Sequence, residues 1–128
     1  MILTLLLQAA ALDALPRQAL PAKGCAAYLW SVADRRFVAL ADPARLRLSL
    51  GGKVIDVAKA SESGAGDYGF AATTGYASAD VSVTLDMTVA RRANLAAGAS
   101  VPGGTLTIAR AGQDSVIVPV AGLIGCAP

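Results

Sequence analysis

Histidine is absent from these 128 residues. Ser-His-Asp and Cys-His nucleophile systems are therefore impossible, and the commonest general base of enzyme catalysis is missing. Two cysteines without a histidine do not make a zinc shell, and no metal or cofactor is expected. Aromatics are scarce, at three tyrosines, two phenylalanines and one tryptophan, so a core must be built from Val, Leu, Ile and the 28 alanines. Charge is sparse as well: 16% of residues, net +2. The basic residues are spread along the chain and not gathered, which argues against nucleic acid as a partner. The longest apolar run, Ile2 to Leu12, spans about 18 Å as a helix against roughly 30 Å of hydrocarbon, so no transmembrane helix is expected.

What is present is bulk apolar content. Hydrophobic residues make up 55% of the chain, enough for one well-buried domain. Eight of the eleven cations are Arg, which together with the alanine excess suggests a GC-rich bacterial genome.

The opening stretch "MILTLLLQAAALDALPRQALPAKG" is uncharged until Asp13. Its apolar run has the length of a signal-peptide core, and Ala9-Ala10-Ala11 supplies the small residues of a cleavage site, with the cut before Leu12. No Lys or Arg stands near Met1, as a signal would prefer. The competing reading is an amphipathic helix with Leu3, Leu6, Leu7, Ala10 and Ala14 on one stripe, stopped by Pro16. The favoured division is a signal peptide over residues 1–11, a short linker over 12–24 and a single domain over 25–128.

Cys25 and Cys126 bracket that domain. Such a pair suits an oxidising compartment, where a bridge closing about a hundred residues stabilises by up to about 4 to 5 kcal/mol. The alternatives are two buried free thiols, or acylation of Cys25. Acylation fits poorly, because Lys23 and a polar, proline-containing stretch separate Cys25 from the apolar run.

After Cys25 the pattern has period two and glycine-rich turns, an all-β signature. Strands are expected at 26–32 and 36–41 around "ADR". In "RLRLSLGGKVIDV", Leu46, Leu48 and Leu50 alternate with Arg45, Arg47 and Ser49 before a Gly51-Gly52 hairpin turn. Residues 61–67 read as an exposed loop and "YGFAATTGYAS" as one irregular strand. Val81 to Val89 is the clearest strand, with Val81, Val83, Leu85, Met87 and Val89 on its buried face. "RRANLAAGASVPGG" reads as a connector, with Leu95 able to dip into the core. A last hairpin sets Leu106 and Ile108 against Val116, Val118 and Val120, and Pro119 implies an edge strand or a position turned away from the ladder. The sum is a small antiparallel sandwich or partly closed barrel of about seven short strands.

Motifs with chemistry are few. "GAGDYG" matches G-x-G-x-x-G in letters, but no helix opens on its last glycine and Asp67 would repel a phosphate. "LGGKV" lacks the spacing of a P-loop. Carboxylate chemistry by Asp67, Asp80 or Asp86, or a Ser61–Lys59 pair, has no supporting motif. Arginines occur as Arg35-Arg36, Arg45 with Arg47, and Arg91-Arg92. If Arg35, Arg36, Arg45 and Arg47 converge, they form a candidate anion-binding site. With Asp34, Asp42 and Asp86 nearby, the plainer reading is a solvated surface. Tyr28 and Trp30 share one side of their strand and are expected to pack beside the bridge.

The reading is an exported bacterial protein, periplasmic or secreted, with a disulfide-braced β domain and a non-enzymatic binding or structural role. Its partner is an anionic envelope component or another envelope protein. The alternatives are a carboxylate-dependent hydrolase of a polar polymer, and a lipid-anchored or cytoplasmic protein with reduced thiols. Intact mass after expression in a Gram-negative host is expected to show loss of Met1 to Ala11; a full-length cytoplasmic product removes the export reading.

Overall fold

A computed structural model describes residues 12–19, 21, 23–91 and 98–127. Among them there is no helix. The strands are β1 (Leu12–Asp13), β2 (Cys25–Ser31), β3 (Phe37–Ala41), β4 (Arg45–Leu50), β5 (Lys53–Ser63), β6 (Thr73–Ala77), β7 (Val81–Arg91), β8 (Gly98–Arg110) and β9 (Val116–Cys126). From β3 onward each strand pairs antiparallel with the one before it, and β9 returns to β2, so eight strands close into a barrel, with β1 added alongside β4. The amphipathic-helix reading through Ala14 fails at β1, where Leu12 and Asp13 pair with Leu50 and Ser49.

Alternation drives the closure. One apolar face per strand points inward: Leu46 opposite Val57 and Leu48 opposite Ile55 on the β4–β5 ladder, and Val83 opposite Ile108 and Leu85 opposite Leu106 on β7–β8. Eight strands enclose a bore that side chains just fill. Leu29, Leu46, Leu48, Tyr76, Leu85 and Leu106 are all fully buried there. Gly51 and Gly52 have φ of +58° and +80°, the two positive values that a tight β4–β5 hairpin turn requires.

The described residues of the 12–24 segment, expected only to link, pack against the barrel. Leu12 and Leu15 are buried, and the Leu15 amide donates to Phe37 O at 2.8 Å. The Tyr28 hydroxyl donates to Ala19 O at 2.9 Å, and Arg47 Nη1 donates to Gln18 Oε1 at 2.8 Å. The segment is a strap laid from one end of the barrel to the other.

The barrel closes at the β2–β9 seam. Cys25 faces Cys126 in register there and is bonded to it. Beside them the Ala127 amide donates to Gly24 O at 2.8 Å, which makes the cysteines a non-hydrogen-bonded cross-strand pair, the closer kind. Gly122 lies opposite Leu29, and a Cβ there would collide with the Tyr28 carbonyl.

Several expectations are corrected. The connector ends sooner, because residues 98–104 belong to β8, paired to β7 and β9 around register shifts; residues 92–97, including Leu95, lie outside the described residues. Residues 61–63 extend β5 instead of opening the loop. Pro119 is not on an edge strand, since β9 lies between β2 and β8. Its carbonyl accepts from the Val32 amide at 3.0 Å, so its donorless nitrogen faces the point where β2 ends and no ladder bond is lost. Tyr28 and Trp30 do share a face, but it is the outer one. Cys25 has the parity of the inward Ala27 and Leu29, while Tyr28 stacks on Phe37 with ring centroids 6.2 Å apart.

Leu85 is 1% exposed, whereas Thr84, next to it on β7, faces outward. Leu85→Ala is expected to cost about 2 to 5 kcal/mol in chemical denaturation and Thr84→Ala under about 1 kcal/mol. The reverse order would contradict the inward assignment.

Candidate functional site

The described part of the bore is lined by fully buried apolar side chains. Among the described residues no buried side-chain nitrogen or oxygen lacks a hydrogen-bond partner, so nothing polar inside awaits one. Tyr76 donates its hydroxyl to Asp42 O at 3.4 Å, and burial first, then the Asp42 charge, pushes its pKa up to about 12. It is a neutral structural donor. The candidate residues lie on the outer surface and at the barrel ends.

The candidate arginines divide between those places. Arg36 precedes β3 at one end of the barrel and Arg45 opens β4 at the other, separated by the length of β3, roughly 17 Å. Arg36 Nε meets Asp34 at 2.8 Å, and Arg45 Nε lies 3.7 Å from Asp42. Arg47 grips Asp56 through two nitrogens, at 2.7 and 3.0 Å. That paired contact holds the Asp56 carboxyl below its usual range. Asp34 is lowered too, first by the Arg36 backbone amide and then by its side chain. Arg35, at φ +60° in the β2–β3 turn, makes no ion pair among the described residues.

Asp67 shows the opposite of what a general acid needs. Asp67 binds Arg91 at 2.8 and 3.0 Å. The Arg91 contact, aided by the Tyr68 amide, lowers its pKa, whereas a catalytic proton donor requires a raised one. Asp86 accepts from Thr73 Oγ1 at 2.6 Å on the outer face of β7. Lys59 is engaged with Glu62 at 3.3 Å. No group of three or more His, Cys, Asp or Glu side chains fit for a metal occurs among the described residues. "GAGDYG" forms part of a loop over one barrel end. There Phe70 is buried, Tyr68 donates to Gly98 O at 3.2 Å and the Arg91 guanidinium lies 5.2 Å from the Tyr68 ring centre.

Among the described residues a wide-open hollow of about 550 Å³ lies over the Glu62–Ala71 loop, and two further surfaces stand out. One is a cleft of about 320 Å³ between the strap and the β2–β3–β4 wall, where Lys23 and Arg45 stand over Tyr28 and Leu40, with Asp42 beside them. The sequence put Arg45 among the candidates but gave no sign of Lys23, because the strap's path is a tertiary feature. The other is the outer wall formed by β2, β9 and β8. These strands carry no charged residue before Arg110, the last of β8, while β4, β5 and β7 bear Arg45, Arg47, Asp56 and Asp86. Ile117 is 67% exposed, Val32 54% and Leu123 48%. A sign of this was present in "VIVPVAGLIGC", which is apolar at both parities, where a strand with one wet face should alternate.

Comparison with protein-family models, curated proteins and solved structures finds no match to this chain.

The depressed Asp56 pKa fixes the sign of an acid effect. Its stabilisation is present above the unfolded value, near about pH 4, and is lost as pH falls through the lower folded one. Arg47 and Asp56 are 34% and 37% exposed, so the contribution is screened to under about 1 kcal/mol. Asp56→Asn is expected to lower the urea midpoint at pH 7, and the gap from wild type should narrow as pH falls from about 4 through the lower folded pKa of Asp56. A gap that persists there would contradict the ion-pair assignment.

Proposed function

We propose that this chain is an exported, disulfide-braced β-barrel with a non-enzymatic binding or structural role in a bacterial envelope. The observation that carries the reading is the Cys25–Cys126 bond, which closes a loop with a sequence separation of 101. Thiols of the cytosol are kept reduced, so a structural bridge of this kind fits an oxidising compartment. Bonded to Cys126, Cys25 is not free for acylation. The strap adds support: a cut before Leu12 would leave β1 and every strap contact described above in the mature chain.

Binding, in this reading, falls to the outer surface. The anion-binding role considered for Arg35, Arg36, Arg45 and Arg47 centres on Arg45, whose neighbour across the strap cleft is Lys23. Arg36 and Arg47 are held by Asp34 and Asp56, and Arg35 stands at the far end. An anionic envelope component would meet the Arg45–Lys23 pair by charge-assisted contacts, weakened by salt.

Thiol counting on denatured, unreduced protein from the periplasm is expected to find no free thiol, and Cys25→Ser to cost about 2 to 5 kcal/mol in stability. Two titratable thiols in that material would remove both the brace and the compartment argument.

A further inference from the structure

Resting on the reading that the Lys23–Arg45 cleft takes an anion, we infer that its ligand is an acidic sugar residue, a pyranose carrying one carboxylate. Asp42 selects it by accepting hydroxyl groups that plain anions lack. Register builds the floor. Tyr28 lies opposite Leu40 on the β2–β3 ladder, so an aromatic ring and an aliphatic side chain sit together on the outer wall beneath the strap. Tyr28 itself holds the strap there through its hydrogen bond to Ala19 O. A pyranose ring has a face of C–H bonds to lay on such a floor, while its polar groups reach the rim.

The cations over this floor have donors unspent. Arg36, Arg47 and Arg91 each donate to a carboxylate at 2.7 or 2.8 Å. Arg45 differs: its ion pair with Asp42 stretches to 3.7 Å, too long for a hydrogen bond, and its guanidinium makes none among the described residues. Lys23 makes neither a hydrogen bond nor an ion pair among them. Its backbone is nonetheless fixed in place, because the next residue, Gly24, accepts from the Ala127 amide at 2.8 Å beside the Cys25–Cys126 bond. Less ordering is then left for a ligand to impose.

Asp42 supplies the complementary chemistry. Its Oδ1 accepts from the amides of Ala44 and Arg45 at 2.7 and 2.9 Å, which leaves Oδ2 without a hydrogen bond among the described residues. A carboxylate in this position repels a bare anion and accepts from a hydroxyl. Two cations against one carboxylate leave the cleft a single net positive charge. That balances one carboxylate, whereas a phosphate group carries about −1.5 to −2. Size agrees: the cleft holds about 320 Å³, roughly ten waters at about 30 Å³ each, the scale of one monosaccharide and not of a lipid with its acyl chains.

Amide chemical-shift titration of the disulfide-intact protein at pH 7 and low salt tests this, with galacturonate as probe and inorganic phosphate and galactose as comparisons. Galacturonate should saturably shift the amides of Lys23, Ala26, Tyr28, Leu40 and Arg45, with a dissociation constant of about 1 mM for its roughly thirteen non-hydrogen atoms. Phosphate should bind several-fold more weakly, and galactose should not bind. Arg45→Gln and Lys23→Gln should each weaken galacturonate by about tenfold. Asp42→Asn keeps Oδ1 for the turn and replaces Oδ2 by a donor, so it should bring galacturonate and phosphate to within about twofold of each other. Unchanged amide spectra away from the cleft verify that each variant is folded, and Lys23 lies outside every strand, so its variant stands apart from the β3–β4 turn. The two readings fail separately. Binding of neither anion would remove the anion-binding reading and the inference with it. Phosphate bound as tightly as galacturonate by the wild type, or a preference unchanged in Asp42→Asn, would overturn the acidic-sugar inference alone and leave an unselective anion site. Tetragalacturonate separates the sources: binding at least as tight as the monomer supports a unit of a polysaccharide, and exclusion supports a free sugar acid.

Discussion

The β2–β9 seam is the constraint on which the rest depends. Every other neighbour pair in the barrel is a hairpin, joined by a turn or short loop and formed at little entropic cost. This one joins strands from the two ends of the domain, and loop-closure entropy opposes it most. The chain meets that cost with a close backbone approach at Gly122, an inward set of Ala27, Leu29, Val120 and Ile124, and a covalent bond between Cys25 and Cys126. Without the seam β2 and β9 would be edge strands, and Ile117 and Leu123 would lie along an exposed edge, a recognised route to aggregation.

Closure also decides where function can lie. Among the described residues the bore is lined by buried leucine, valine and alanine side chains, and the buried Tyr76 donates to the Asp42 carbonyl. The outer surface is divided. One half is charged and ion-paired, steadied by the strap through Gln18 and Arg47. The β2–β9–β8 wall carries no charged residue before Arg110.

Much of this was legible locally. The alternation of Val81 to Val89, the Leu46–Leu48–Leu50 face and the Gly51-Gly52 turn each announce themselves within a few residues, because side-chain parity is a local property. The bridge was legible for a different reason: two cysteines permit only one pairing. Glycine misled where its purpose was packing. In "GASVPGG" it suggested a connector, yet Gly104 sits within β8, where a Cβ would come 2.6 Å from the Asp86 carbonyl oxygen. Parity alone also left the face of Tyr28 and Trp30 undetermined, since alternation tells which residues share a side and not which side is inside. The separation of Arg36 from Arg45 and the approach of Lys23 to Arg45 are tertiary facts. They depend on the path of the strap and the length of β3, which no local pattern encodes.

The central claim is that the disulfide-held seam closes the barrel, and amide hydrogen exchange with and without reductant tests it most directly. In the oxidised protein the β2 and β9 amides should be as protected as those of β7 and β8. After reduction under native conditions, exchange should accelerate first and most at the Cys25–Cys126 end of β2 and β9, with β7 and β8 following only when the whole barrel opens. Equal protection of the seam before and after reduction, or earlier loss of protection in β7, would contradict the account.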